Sequence, residues 1–320
     1  MALTCDMAPM EGVTSVFYRR AHARWFGGVD RYYIPFLTPT QDHRLTPREK
    51  REVLPEHNEG MDVVPQLLTR SAEDFNWAAR TLSDMGYGEI DLNLGCPSGT
   101  VTAKGKGAGF LAFPEELDRF LEDIFSHAPC AISIKTRLGV KEPEEFPALL
   151  EIYRRYPLSE LIVHPRVRAD MYRNKPRLEA FAAALEGAPF PVRYNGDLYT
   201  QTDFDRLQAR FPGTDRLMLG RGLVGDPALA RKLKGGKGAD KEALRGFITE
   251  VYDSYAQAFD SRRNAMLRMK EVWFYLMGLF DGGEKLAKRI KKAREPQEYE
   301  EAVAAVFREL ELRDDLRADW

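Results

Sequence analysis

Eight short strand-like segments, with helical segments between most of them, constrain the fold more than any other feature of the sequence. Each is an apolar or β-branched run bounded by turn residues. They occupy residues 2–5, 32–36, 62–66, 89–94, 131–136, 161–164, 192–195 and 216–219. Amphipathic helical patterns, such as those over residues 72–85 and 114–127, lie between them. Strand and helix alternating eight times predict the α/β class and a parallel (β/α)8 TIM barrel.

The alternation ends after Leu233. The Lys- and Gly-rich stretch over residues 234–240 has the composition of a flexible linker. Beyond it the pattern is helical throughout, over residues 242–259, 264–280, 284–294 and 298–310. The sequence therefore predicts a barrel domain over residues 1–236 and a C-terminal all-helical domain over residues 241–320.

Composition excludes several classes of protein. Among 320 residues, 44% are hydrophobic and 30% are charged, as in globular proteins. No apolar run approaches the roughly 18 residues of a membrane span, and the N-terminus lacks the pattern of a secretory signal. Three cysteines without CxxC, and five scattered histidines without HExxH, predict neither a disulfide framework nor a metal site. We expect a cytoplasmic protein with no membrane partner.

One interval between strands is longer than the rest. The fourth and fifth segments start at residues 89 and 131, 42 residues apart. The surplus is the glycine-rich stretch over residues 96–109, which follows a strand end, where barrel enzymes place their chemistry. It lacks the GxxxxGK[ST] pattern of a phosphate-binding loop. We interpret it as a mobile lid that begins at Cys96, between a glycine and a proline.

Polar residues stand at the end of one strand after another, and any of them alone has a purely structural explanation. They are Ala8-Pro9-Met10, Gln66, Asn93, Cys96, Lys135 with Arg137, His164 with Arg166, Asn195-Gly196-Asp197 and Gly220-Arg221-Gly222. The last two groups are typical of a phosphate site, to which Arg221 adds charge. An amine at Lys135 would stabilise a reduced flavin, and Gln66 can pair with a pyrimidine edge. The pattern predicts a barrel that binds a phosphorylated, flavin-type cofactor.

The sequence resembles the tRNA-dihydrouridine synthases along nearly its whole length. The motifs that carry the resemblance are Ala8-Pro-Met-Glu-Gly12, Asp91-Leu-Asn-Leu-Gly-Cys-Pro97, Val101, Lys104, Gly107-Ala108, Lys135-Thr-Arg137, His164-Pro-Arg166, Asn195-Gly-Asp197 and Gly220-Arg-Gly222. One departure is Pro165, where many members have glycine, but the flanking His and Arg stay in register. Members also have a C-terminal helical domain, which agrees with the change of pattern after Leu233.

The resemblance implies an FMN-dependent enzyme that uses NADPH, or NADH, to reduce uridines in tRNA. The flavin passes a hydride to C6 of the uracil, and Cys96 then protonates C5. A thiol with a pKa near 8.5 is mostly protonated at neutral pH, which suits this role. The implied cofactor-binding residues are Pro9, Met10, Glu11, Gln66, Lys135, His164, Asn195, Gly196, Asp197, Gly220 and Arg221. The implied substrate-binding residues are Asn93, Lys104, Arg137 and Arg166.

Charge in the helical region is unevenly distributed. Residues 262–294 hold ten Lys and Arg against three Asp and Glu, whereas residues 295–319 hold three against nine. Within the first stretch, Lys285, Lys288, Arg289 and Lys292 share one face of a helix. Such a run is often only a solvated face, but in the context of the resemblance we expect it to bind the tRNA backbone. Arg262, Arg263 and Lys270 would extend this surface, and no protein partner is predicted.

Three alternatives remain open on the residues alone. A lyase could use Lys135 as a Schiff-base nucleophile, which gives no role to the cysteine loop. Another FMN-dependent barrel oxidoreductase would leave the basic helix unexplained. A non-catalytic RNA-binding protein would leave the strand-end residues unexplained. Neither the modified uridine position, nor the choice between NADPH and NADH, nor the oligomeric state follows from the sequence.

Overall fold

A closed barrel of eight parallel strands forms the centre of the computed structural model, which describes residues 2–318. The strands are β1 (Thr4–Met7), β2 (Tyr32–Leu37), β3 (Val63–Leu67), β4 (Glu89–Leu94), β5 (Ala131–Arg137), β6 (Leu161–His164), β7 (Val192–Tyr194) and β8 (Arg216–Leu219). They are hydrogen-bonded in sequence order around the barrel. The predicted TIM barrel is therefore confirmed, and every strand starts within two residues of its predicted position.

Helices follow the strands of the barrel, and after β8 the chain is helical up to Glu309 apart from the connections. They are α1 (Val16–Trp25), α2 (Pro47–Val53), α3 (Ala72–Asp84), α4 (Gly99–Thr102), α5 (Pro114–Ser126), α6 (Phe146–Tyr153), α7 (Leu178–Leu185), α8 (Gln201–Arg210), α9 (Arg221–Gly225), α10 (Leu229–Leu233), α11 (Lys241–Phe259), α12 (Arg262–Leu276), α13 (Glu284–Lys292) and α14 (Pro296–Glu309). The last four lie where the sequence predicts helices, and the expected linker is free of regular structure. No helix among residues 2–318 is long and apolar enough to cross a membrane.

The register between β4 and β5 positions two of the expected site residues. The two strands pair without a break from Glu89 opposite Ala131 to Leu94 opposite Thr136, which sets Asn93 beside Lys135. Apolar residues alternate with these polar ones and are completely buried, as at Ile90 and Leu92. Because side chains alternate across a strand, the polar residues of both strands share the opposite face. That face carries polar groups to the carboxyl ends of the strands.

The chain divides into two compact units. The first contains Arg31–Gly196 and Gly213–Met218, and so holds β2 to β7 and all of β8 except Leu219. The second contains Leu3–Asp30, Asp197–Pro212 and the residues from Leu219 onward, and so groups β1 and α1 with the C-terminal helices. The predicted boundary between a barrel domain over residues 1–236 and a helical domain over residues 241–320 stays a prediction.

Aromatic side chains hold α1 against α11 inside the second unit. The indole of Trp25 donates to Glu250 at 2.8 Å, and the ring of Tyr18 meets that of Phe247 edge to face at 5.1 Å. Gly246 allows this close approach, since a Cβ there would lie 2.2 Å from the Trp25 ring. A larger residue at position 246 would therefore separate the two helices.

Candidate active site

The turn that carries Cys96 is fastened to the end of β4. The side-chain oxygen of Asn93 accepts the backbone N–H of Gly95 at 3.1 Å and that of Cys96 at 2.9 Å. The carbonyl of Cys96 accepts the N–H of Ala108 at 3.0 Å. Gly107 has a φ of +57°, and a Cβ there would lie 2.9 Å from the Cys96 carbonyl. The half-buried thiol is thus presented at a fixed point of the strand end.

The glycine-rich segment after Cys96 is folded rather than extended. It contains α4 and a 3₁₀ helix over Gly107–Ala112, whose Phe110 side chain is buried. Lys104 lies between the two and is exposed to solvent. Burial lowers the pKa of neighbouring Lys106. The predicted motion of this segment as a lid stays a prediction.

A buried chain of hydrogen bonds runs beneath the cysteine turn. The amide nitrogen of Gln66 donates to Asp91 at 2.6 Å, and its oxygen accepts from Asn93 at 2.6 Å. Ser133 donates to the other carboxyl oxygen of Asp91 at 3.0 Å. Burial raises the pKa of Asp91 to about 8, although the bonds from Gln66 and Ser133 oppose the shift. Each polar end of Gln66 therefore has one partner within the first unit, and its amide nitrogen keeps a second N–H.

Lys135 lies beside Asn93 and is half-buried. Burial lowers its pKa to about 8, the charge of Arg137 acts in the same direction, and Asp91 and Cys96 oppose it. Near neutral pH the amine is therefore mostly protonated but loses its proton far more readily than an exposed lysine. Such a group suits either a cation beside a flavin ring or a nucleophile, so its chemistry alone leaves the lyase alternative open.

Two buried arginines hold loops at the ends of β5 and β6. Arg137 donates to the carbonyl of Gly95 at 2.9 Å and to that of Val167 at 3.0 Å. Arg166 donates to His164 Nε2 at 3.0 Å. Because arginine only donates, Nε2 of His164 is the acceptor of this hydrogen bond. Arg137 thereby supports the turn before Cys96, while contact of either arginine with a substrate stays a prediction.

The residues after β7 are packed closely in the first unit. Asn195 donates to the carbonyl of Met218 at 2.8 Å, which ties the end of β7 to β8. A Cβ on Gly196 would lie 2.1 Å from the hydroxyl of Tyr194. A side chain at this position would have to displace the buried ring of Tyr194, which is a steric reason for glycine that is independent of any phosphate.

In the second unit, the predicted phosphate-binding arginine already has a carboxylate partner. Arg221 pairs with Asp197 at 2.7 Å, and its guanidinium lies 5.8 Å from the centre of the Tyr199 ring. The pair fixes the direction of a side chain that is only partly exposed. Arg221 could therefore hold a phosphate only while it shares its charge with Asp197.

The first predicted motif lies after β1, also in the second unit. The N–H of Ala8 donates to the carbonyl of Leu219 at 2.8 Å, which pairs β1 with β8. Pro9 and Met10 are half-buried and Glu11 is exposed. Gly12, with a φ of +83°, approaches α12, since a Cβ there would lie 3.3 Å from a carboxyl oxygen of Glu271.

The predicted basic face is present on α13. Lys285, Lys288, Arg289 and Lys292 are exposed, whereas Leu286 and Ile290 on the other side are buried. Arg263 is also exposed. Arg262, by contrast, pairs with Glu300 at 2.7 Å, and Lys270 donates to the carbonyl of Ala293 at the end of α13. These last two cations therefore already have partners within the helical region.

Comparison with known proteins decides the family. The model of the family described as Dihydrouridine synthase (Dus) matches residues 6–316. The chain belongs to the dihydrouridine synthase family. It is therefore a flavin-dependent oxidoreductase that forms dihydrouridine, and the predicted resemblance is confirmed. This assignment excludes the lyase and the non-catalytic RNA-binding protein as alternatives.

Individual relatives agree with the family. The chain is 33% identical to the tRNA-dihydrouridine(16) synthase of Ralstonia nicotianae over 239 residues, 72% of each chain. It is 30% identical to the protein of the same name from Cupriavidus necator, over 93% of this chain and 95% of the other. Among solved structures, morphinone reductase superposes with a TM-score of 0.53 at 13% identity, covering 77% of this chain and 88% of that one. That likeness confirms the barrel fold alone.

Sequence reasoning missed Asp91 and Ser133 as parts of the site. A signal for both was present, because the fourth and fifth strands alternate polar and apolar residues. In Glu89-Ile-Asp-Leu-Asn-Leu94, the polar residues at positions 91 and 93 share one face, and Ser133 and Lys135 do so in the next strand. Polar groups on the inner face of a buried strand need partners, which predicts a network there.

Proposed function

We propose that the protein reduces a uridine of tRNA, with FMN as its resident flavin and NADPH or NADH as reductant. The observation that carries the proposal is the thiol of Cys96, held at a strand end by Asn93 and close to the partly buried amine of Lys135. An acid and a cation at the mouth of a barrel suit the reduction of an electron-poor ring.

The residues of this chain fit a flavin. Lys135 offers a positive charge in a partly buried setting, where it has more effect on a bound ring than it would in water. We propose that Gln66 and His164 contact the ring, and that Pro9, Met10 and Glu11 line it. Asn195, Gly196 and Asp197, with Gly220 and Arg221, would hold the phosphate end. When bound, the flavin supplies the hydride.

Cys96 would supply the proton that completes the reduction at C5 of the uracil. Asn93 keeps the cysteine turn in place through its oxygen, while its nitrogen has a second N–H beyond the one given to Gln66. We propose that this N–H meets the uracil edge. Lys104, Arg137 and Arg166 would contact the remainder of the substrate, and closure of residues 96–109 over the base would exclude water.

Residues 241–320 would form the tRNA-binding domain, and residues 1–236 the catalytic one. The exposed cations of α13 support this division, together with Arg263 and the partly neutralised Arg262. Two relatives at 33% and 30% identity are both named for position 16. We therefore propose uridine 16 as the target, in the cytoplasm, where tRNA is modified.

The test is nucleoside mass spectrometry of unmodified tRNA after incubation with FMN-loaded enzyme and NADPH, with the site located by mapping of nuclease fragments. Cys96→Ala should retain flavin yet form dihydrouridine roughly 10²- to 10⁴-fold more slowly, as expected for a lost general acid. Cys130→Ala, at a half-buried cysteine just before β5, is the matched control and should match the wild type. Near-normal turnover by Cys96→Ala would show that Cys96 is not the general acid. Reduction at another position of the tRNA would show that uridine 16 is not the target.

A further inference from the structure

An apolar groove lies between α12 and α13, within the second unit. It has a volume of about 680 Å³. Leu267 and Phe274 of α12 line it and are 54% and 59% exposed. They are seven residues apart and so share one face of the helix. Among residues 2–318, Phe274 is the most exposed large apolar side chain.

The floor of the groove is formed by buried side chains of the helical core. Trp273 and Ile290 line it and are almost completely buried. The indole N–H of Trp273 donates to the hydroxyl of Tyr299 at 3.0 Å. Because these side chains are packed into the helical core, a ligand would find the floor of the groove already formed and would have to order only the exposed side chains above it, such as Phe274.

The rim of the groove carries two available cations. Lys288 and Lys291 of α13 line it, are exposed, and form no ion pair within residues 2–318. Arg313 also lines it but pairs with Asp281. The carboxylates of Glu271 and Glu284 lie on the rim as well, so an anionic ligand should follow the side of the two lysines.

The groove is distinct from the outer face of α13. Lys285, Arg289 and Lys292 do not line it, although they belong to the same helix. Lys288 therefore lies at the boundary between the two surfaces. The outer face offers charge alone, whereas the groove combines charge with an aromatic and an aliphatic side chain.

We propose that this groove binds an unpaired nucleotide of the tRNA substrate, which rests on the proposed function of the helical region. The base would pack against Phe274 and Leu267, and a neighbouring phosphate would meet Lys288 and Lys291. A surface that unites an exposed aromatic ring with lysines has the composition of a single-stranded nucleic-acid site. Charge disfavours a second copy of the chain, because a two-fold contact would face one basic α13 with another.

The experiment compares two kinds of substitution in binding of unmodified tRNA and of a fluorescent pentauridylate, measured from 50 to 200 mM salt. Phe274→Ala should weaken both by roughly 5- to 150-fold, the range of one lost base stack, and leave the salt dependence unchanged. Lys288→Gln with Lys291→Gln should instead lower the slope of log K against log salt by up to about 1.4. Phe113→Ala, an exposed phenylalanine of the first unit, is the matched control and should bind as the wild type.

The outcomes separate this proposal from the one on which it rests. If Phe274→Ala binds as tightly as the wild type while Lys285→Gln with Arg289→Gln weakens tRNA binding, the groove proposal is wrong and the basic face stands. If neither variant weakens binding, the helical region does not bind tRNA and both proposals fail. If Phe274→Ala lowers the mass in solution at unchanged tRNA affinity, the groove joins two copies of the chain, and the nucleotide proposal is overturned.

Discussion

Replacement of Asp91 by asparagine should stabilise the protein relative to the wild type, and the gain should grow as the pH rises from 5 to 7.5. Asp91 is completely buried on β4, where it accepts hydrogen bonds from Gln66 and Ser133. Asparagine has nearly the same shape, and its oxygen can still accept from Gln66 while its nitrogen donates to Ser133. The substitution therefore removes a titrating group without opening a cavity.

The direction of the stability change follows from the pKa of Asp91, which burial raises from 3.8 to about 8. Between these values the folded protein keeps a proton that the unfolded chain has released. The contribution of Asp91 to the free energy of unfolding is greatest below pH 3.8. It falls by about 1.4 kcal/mol per pH unit as the pH rises to 8. Relative to the wild type, Asp91→Asn should gain up to about 3 kcal/mol between pH 5 and pH 7.5.

The range must stop below pH 8 because Lys135 titrates with the opposite effect above it. Burial lowers the pKa of Lys135 from 10.5 to about 8. Its contribution to stability is therefore present above pH 10.5 and is lost as the pH falls to 8. Below pH 7 the amine is largely protonated in both states, and its effect on the difference is small.

Urea unfolding followed by tryptophan fluorescence at intervals of half a pH unit, from pH 5 to pH 7.5, measures the difference. Asp253→Asn, at an exposed carboxylate of α11, is the control and should show the slope of the wild type. If the stability difference between Asp91→Asn and the wild type stayed constant across this range, Asp91 would be ionised in the folded protein, and the argument from burial would be refuted.

Two further predictions concern binding. Arg221→Ala should weaken FMN binding by about 1.5–3 kcal/mol, the strength of one charge-assisted hydrogen bond, as measured by equilibrium dialysis. Arg210→Ala, at a surface arginine of α8, is the control. If Arg221→Ala retained FMN fully, the phosphate would bind elsewhere. Replacement of Lys285, Lys288, Arg289 and Lys292 together by glutamine should lower the salt slope of tRNA binding by up to about three units, while FMN content stays unchanged. An unchanged slope would make the outer face of α13 an ordinary solvated surface.

Much of the barrel could be predicted because its signal is local. Eight apolar runs and the helical patterns between them recur along the chain, and parallel strands with helical connections have few other ways to bury both faces. The unusual turn at Cys96 was also visible locally, as a glycine, a cysteine and a proline after a strand. These features depend on neighbouring residues, which a single sequence displays.

Hydrogen bonds and ion pairs between polar groups that lie far apart in the sequence could not be predicted from local patterns. The sequence assigned Arg221 to a phosphate and Gln66 to a flavin, but only the fold pairs Arg221 with Asp197 and encloses Gln66 between Asp91 and Asn93. Similarly, residue types alone did not separate the outer cations of α13 from those that line the groove. The pairing of polar groups depends on distances across 24 or more positions of the chain, and those distances are set by packing.

The sequence by itself thus determined the order of strands and helices, the cysteine turn and the basic stretch near the C-terminus. The tertiary structure decided which of these charges are shared, which are buried and which remain available. The physical reason is that periodicity and turn chemistry act between neighbours, whereas the pKa of Asp91 and the availability of Lys291 depend on burial and on partners that only the folded chain brings together.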